Sequence, residues 1–201
     1  YEPNLNDFLM LNGFNWHIID IDDPIIHNIL GVKYYAVIDD DELPSKQYEY
    51  VTNLDHYSIY LNPNYSGVGF TYSEFIPLSK ASSSINWETQ LILADYDFNT
   101  FKNIESSERS YLKVIEKNGN YMKATIEVSN EVILFISIPY NKGWSIKNDS
   151  KSIDALKVQG GFIGLHLEPG SHTLTFNFIP YGFKLGLFLS FLGIVLFSLV
   201  S

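Results

Sequence analysis

Leu185–Val200 holds sixteen residues without a single charge, and water tolerates such a run poorly. Coiled as a helix it rises about 24 Å, slightly short of a hydrocarbon core of about 30 Å. Phe183 lengthens the apolar stretch and Lys184 can snorkel to a lipid–water interface. Gly186, Ser190, Gly193 and Ser198 suit packing against neighbouring membrane helices. A buried helix of a water-soluble protein is the competing reading, and the lack of any polar stripe weighs against it. The position in the chain excludes a signal peptide. The expectation is a transmembrane helix over 182–201. With Tyr1 at one end and this run at the other, the sequence reads as a piece of a longer membrane protein.

Before the run, alternation with a period of two dominates. Tyr57, Ile59 and Leu61 share a face, as do Val68, Phe70 and Tyr72. Met122, Ala124, Ile126 and Val128 alternate with polar residues, and Asn118-Gly119 ahead of them marks a tight hairpin. The stretch VILFISI (132–138) is apolar on both faces and predicts a central buried strand. Ile163, Leu165 and Leu167, then Leu174, Phe176 and Phe178, complete the pattern, with Pro169-Gly170 turning the chain between them. Strands every 8–12 residues predict a mainly β (α+β) fold, with an antiparallel β-sandwich or jelly-roll-like domain and a few short helices.

The earlier part of the chain is less regular. Residues 4–13 predict a short helix, and Trp16 and Ile18 begin a loose alternation. Pro24–Leu30 predicts a second helix, with Asp23 as N-cap and Gly31 as the stop. GVKYYAVI (31–38) reads as a buried strand. Residues 79–86 and 103–110 read as loops. From Asn86, WETQLILAD fits either a helix capped by Asn86 or a strand at 90–94. The resulting division is an α+β part over 1–110, an antiparallel sandwich part over 111–181, and the membrane helix.

Charge and composition exclude several function classes. The net charge is −10, and residues 1–60 carry eleven acids against two lysines. No basic stripe exists, so nucleic acid is excluded as a partner. An acidic domain beside a membrane is easier to place outside the cell, because cytoplasmic flanks carry excess Lys and Arg. The absence of cysteine removes disulfides, thiolate metal sites and thiol nucleophiles.

Candidate sites are few. The acidic run 39–42 suggests a calcium site, but it lacks the spacing and glycine of an EF-hand loop and reads as a solvated loop. His27 has no second ligand four residues on and reads as a surface histidine. Asp20, Asp22, Asp23, Asp95 and Asp97 offer carboxylates for general-base chemistry, as loops commonly do. There is no G-x-S-x-G, and Gly160-Gly161 reads as a turn. The sequence names no catalytic residue, no metal site and no cofactor. Tyr140, Lys142 and Trp144 form the one suggestive group. Aromatic rings can stack on a sugar while a lysine binds its hydroxyls, and the alternative is that Trp144 fills the core beside an Asn141–Gly143 turn.

Several short motifs occur in a familiar order: ILGVKYYAV (29–37), YSIYLNPNYSGVGFTY (57–72), SIPYNKGWSI (137–146), VQGGFIGLHLEPGSHTLTFNFIPYGFKLG (158–186), then the apolar run. Together they resemble the C-terminal region of the bacterial YfhO family of multi-pass membrane proteins. The likeness is closest over 132–186 and loosest over 79–110. Ile179-Pro180 stands where the family has Pro-Pro or Thr-Pro. That family is similar to GT-C type glycosyltransferases, which move a sugar from a polyprenyl-phosphate carrier to an envelope polymer such as lipoteichoic acid. The resemblance implies an extracytoplasmic domain at the bacterial cell membrane, with catalytic residues outside this stretch. Its implied partners are membrane lipid, the rest of the same polytopic protein, and envelope polysaccharide or teichoic acid. A carbohydrate-binding module and a structural or partner-binding domain without glycan affinity are the alternatives.

Overall fold

The computed structural model describes residues 24–38, 46–72, 74–81, 85–104 and 108–200. In chain order the elements are α1 (Pro24–Leu30), β1 (Tyr34–Ile38), β2 (Glu49–Leu54), β3 (Tyr57–Leu61), β4 (Gly69–Thr71), β5 (Glu74–Pro77) and β6 (Gln90–Leu93). Then follow α2 (Asp95–Phe101), β7 (Lys113–Asn118), β8 (Tyr121–Val128), β9 (Val132–Pro139), β10 (Trp144–Asn148) and β11 (Lys151–Ser152). The chain continues through β12 (Leu156–Val158), β13 (Phe162–Leu167), β14 (Gly170–Phe178) and α3 (Phe183–Val200).

A strand apolar on both faces must be covered on both, and β9 is. It lies in a six-stranded sheet of order β4-β9-β13-β12-β6-β5. One face packs against a five-stranded antiparallel sheet, β11-β10-β14-β8-β7. Between them Val132, Leu134 and Ile136 of β9 and Ile163, Leu165 and Leu167 of β13 meet Met122, Ala124 and Ile126 of β8 and Leu174 and Phe176 of β14. These residues fall at every second position, as a pleated strand requires. The other face carries Ile133, Phe135, Phe162, Leu91 and Leu93, covered by Ile26 and Ile29 of α1 and by Phe98 and Phe101 of α2. The result is three layers, with the six-stranded sheet in the middle. Each fully buried Leu or Ile contributes about 1.5–3 kcal/mol.

A tight hairpin forms at the Asn118-Gly119 signal, one residue on from the expected turn. Asn118 ends β7 and pairs with Tyr121, so Gly119 and Asn120 are the loop, and Gly119 takes φ +51°, which a side chain would resist. Antiparallel pairing dominates, but β5 and β6 run parallel. Six and five strands, with that parallel pair, are not the two four-stranded sheets of a jelly roll. The six-stranded sheet also draws β4, β5 and β6 from before residue 110 and the rest from after it.

Three other expectations change, and one open choice is settled. β1 is a strand, but of its five residues only Val37 is buried, because it belongs to a separate three-stranded sheet, β1-β3-β2, whose residues join neither of the two core clusters. At 87–94 the strand is found and the helix is not. Asn86 Oδ1 accepts from the Glu88 amide at 3.1 Å and its carbonyl from Gln90 at 2.8 Å, which closes a turn that launches β6. α2 forms where no helix was expected. His27 is buried, at 4% exposure, and its Nδ1 is hydrogen-bonded to the Tyr48 hydroxyl. The helix of residues 4–13, the alternation from Trp16, the Asp23 cap and the acidic run 39–42 lie outside the described residues.

The expected membrane helix is a helix, α3, on whose surface every described side chain is exposed. Among the described residues no helix is long and apolar enough to cross a membrane. The eighteen residues of α3 rise about 27 Å, below a hydrocarbon core of about 30 Å.

Candidate functional site

Two clefts carry the chemistry. The first is built on the β9–β10 connection and contains the residues singled out from sequence. Asn141 shapes it: its Oδ1 accepts from the Gly143 amide at 2.7 Å, and its carbonyl accepts from the Trp144 amide at 3.1 Å. Gly143 in turn accepts from the Ile179 amide at 3.0 Å. A Cβ at Gly143 would come within 2.5 Å of the Ile179 carbonyl oxygen, so this approach admits only glycine. Trp144 stacks on Phe178, with ring centroids 4.9 Å apart. It is half-buried and packs against the sandwich core together with Tyr140. Tyr140, Lys142 and Trp144 do line one cleft of about 370 Å³, beside Ile153, Asp154 and Ala155.

The second cleft is larger, about 590 Å³, and sequence reasoning missed it. Its walls are Ile25, Asn28 and Ile29 of α1, the 63–66 turn, Phe70 of β4, Trp87, Glu88, Arg109 and Tyr111. The segment 108–112 runs beside β4. Thr71 donates its amide to the Ser110 carbonyl at 3.0 Å, and Leu112 donates to the Gly69 carbonyl at 2.9 Å. The Thr71 hydroxyl accepts from the Ser110 amide at 2.9 Å. This pairing sets Arg109, the only arginine of the chain, over the rings of Phe70 and Tyr72, 4.7 Å and 5.7 Å from their centroids. An arginine plane on aromatic faces is held by cation–π attraction, and one of its amines also donates to the Glu88 carbonyl. The cleft thus presents aromatic rings, amides, one guanidinium and one carboxylate, a mixture suited to hydroxyl-rich ligands. No local sequence signal marked it, because Trp87 and Arg109 lie 22 residues apart in the chain.

Behind the cleft lies a buried polar network. Tyr72 donates its hydroxyl proton to the Trp87 carbonyl at 3.0 Å. Gln159, fully buried, accepts from the Ile92 amide at 2.9 Å and donates to the Gln90 carbonyl at 3.1 Å and to the Tyr72 oxygen at 3.3 Å. Burial pushes the Tyr72 phenol up to about 12, against the opposing pull of the Gln159 hydrogen bond and the Arg109 charge.

The remaining candidates do not converge on either cleft. Asp95 accepts from the Ser79 hydroxyl at 2.6 Å and from its amide at 3.2 Å, tying the start of α2 to the turn at 78–80. Asp97, in the same first helical turn, is shifted upward from its ordinary value by burial. Asp20, Asp22 and Asp23 lie outside the described residues. Glu131, His166 and Glu168 bring one ligand atom each to within 4.8 Å of one another, but His166 Nε2 is engaged by Glu131 at 2.6 Å and its ring stacks on Phe101. An ordinary surface hydrogen bond accounts for that group.

The sequence model of a family described as "Bacterial membrane protein YfhO" matches residues 78–190. A protein of Bacillus subtilis (strain 168) named "Uncharacterized protein YfhO" is 23% identical over 107 residues, 53% of this chain and 12% of that protein. The chain therefore spans a small part of that relative's length. No solved structure matches the chain.

Proposed function

The chain belongs to the bacterial membrane protein YfhO family, and from that premise we propose that it forms the membrane-proximal, extracytoplasmic β-rich domain of a polytopic GT-C type glycosyltransferase. In this reading the whole protein takes a sugar from a polyprenyl-phosphate carrier and adds it to an envelope polymer such as lipoteichoic acid. The described domain is not catalytic. It supports acceptor binding or steadies the membrane bundle. One observation carries the reading. α3 follows β14 after a four-residue link, carries no charge beyond Lys184 in its first turn, and leaves its described side chains exposed. A helix without a polar face is stable only against protein or lipid. Lipid and the neighbouring helices of the same protein supply that surface, and the family's description as a membrane protein agrees with it.

Two experiments test it. A Ser145→Cys variant of the full-length protein, with cysteines elsewhere replaced, is expected to react with a membrane-impermeant maleimide in intact cells. Labelling only after lysis sinks the extracytoplasmic assignment. Deleting 24–178 while the membrane bundle still inserts is expected to abolish polymer glycosylation, and unchanged glycosylation removes the supporting role.

The 590 Å³ cleft favours a second reading, a carbohydrate-binding module with its own affinity for envelope polymer. Its rings and hydrogen-bonding groups suit a sugar better than the smaller Tyr140–Lys142–Trp144 cleft, whose tryptophan is partly committed to the core. Titrating the detergent-solubilised chain with teichoic acid separates the two. Binding lost in Trp87→Ala favours the large cleft, and binding lost in Lys142→Ala favours the small one. Absence of binding leaves a purely structural domain.

A further inference from the structure

A third groove, of about 470 Å³, sits where β14 hands the chain to α3. Lys142, Trp144 and Ser145 form one wall, and Tyr181, Lys184 and Leu185 belong to the other. Two amines therefore share one mostly apolar groove. No acid is among its described lining residues, in a chain whose net charge is −10. Asp154 lines the neighbouring cleft and not this one.

We infer that this groove seats the phosphate headgroup of an anionic phospholipid, an inference that rests on the reading of α3 as lipid-embedded. Position supports it. Lys184 lies in the first turn of α3, where an apolar helix leaves lipid and where amines and aromatic rings gather at headgroup level. Tyr181, 85% exposed, and the Trp144 indole supply the rings. Rigidity of one wall supports it too. The bond from the Ile179 amide to the Gly143 carbonyl and the Trp144–Phe178 stack fix the Lys142–Ser145 wall to the end of β14, so a headgroup meets a preformed wall on that side. Charge supplies the specificity. The acidic body is repelled by an anionic leaflet, and the groove reverses that sign locally within a Debye length of the surface. Each lysine near such a surface is worth about fivefold in affinity, and the pair on the order of twentyfold.

The test uses the full chain reconstituted in vesicles, with Trp16→Phe and Trp87→Phe leaving Trp144 as the only indole. Quenching is read with lipids brominated near the top of their acyl chains, as phosphatidylglycerol or phosphatidylcholine. The expected result is a preference for brominated phosphatidylglycerol on the order of twentyfold. Lys142→Gln with Lys184→Gln abolishes the preference while quenching persists, and Lys142→Arg with Lys184→Arg retains it. Equal quenching by both lipids overturns the headgroup site and leaves the α3 reading intact. A preference that survives the double glutamine variant overturns it as well. Quenching by neither lipid removes the α3 reading and this inference with it. If inorganic phosphate alone shifts Trp144 emission, and the glutamine variant removes that shift, the site binds free phosphate and the lipid assignment fails.

Discussion

The paired sheets around β9 and the small sheet β1-β3-β2 are written in much the same apolar–polar alternation, yet they are buried very differently. In the paired sheets Leu134, Phe135, Ile136, Ile163 and Leu165 are 0% exposed. In the small sheet Tyr34, Tyr50 and Leu54 are 53%, 58% and 68% exposed, and every residue of β2 is exposed. The small sheet is held at its base. Asn62 donates to Asn28 at 2.9 Å and to the Val32 carbonyl at 3.0 Å, and His27 meets Tyr48 below it. Alternation thus specifies a strand with an apolar face. Whether that face yields stability depends on a second layer arriving to cover it.

This contrast can be broken by mutation, most strongly in the covered region. Leu165→Ala, which empties a fully enclosed site, is expected to cost about 2–5 kcal/mol. A denaturant midpoint in detergent that hardly moves would mean the two sheets are not packed as described. Next in size is an alkaline effect. Tyr72 is held up to about 12 in the fold against an ordinary value of 10.0. The unfolded chain therefore releases this proton first, and the associated stability is full below pH 10 and lost as pH rises toward 12, by about 3 kcal/mol in all. Tyr72→Phe should flatten that part of the stability–pH curve, and an unchanged slope would place the phenol in water. Gln159→Ala should cost about 1–3 kcal/mol, because the Ile92 amide and the Gln90 carbonyl lose a buried partner. The measurement is again the midpoint, joined by faster amide exchange at Ile92. Smallest is Leu54→Ser in the uncovered sheet, expected within about 0.5 kcal/mol of the parent. A loss as large as that of Leu165→Ala would reveal a covering layer over that face.

Much of the sheet architecture was legible because its signals are local. β8, β9, β13 and β14 each repeat apolar residues at every second position, and the Asn118-Gly119 turn carries its own conformational demand. α2 was not legible. DYDFNTF has no long helical period, and its N-cap, Ala94, makes no side-chain hydrogen bond, so packing of Phe98 and Phe101 under the central sheet sustains it. The strand over helix choice at β6 was equally tertiary, since its parallel partner β5 and the side chain of Gln159, 67 residues from Ile92, stabilise it. Tyr140, Lys142 and Trp144 were readable as one group because they fall within a single turn. Trp87 and Arg109 were not, because only the pairing of 108–112 with β4 brings them together.

A period of two, a turn dipeptide and an uncharged run are properties of neighbouring residues. They are therefore written in the chain, and with them its mainly β character and the apolar helix at the end. Which face lies under a second sheet, where the single arginine rests and which amines share a groove depend on strand register between distant residues. Those contacts exist only once hydrogen-bonded ladders and packed layers have chosen partners, and so they belong to the folded molecule alone.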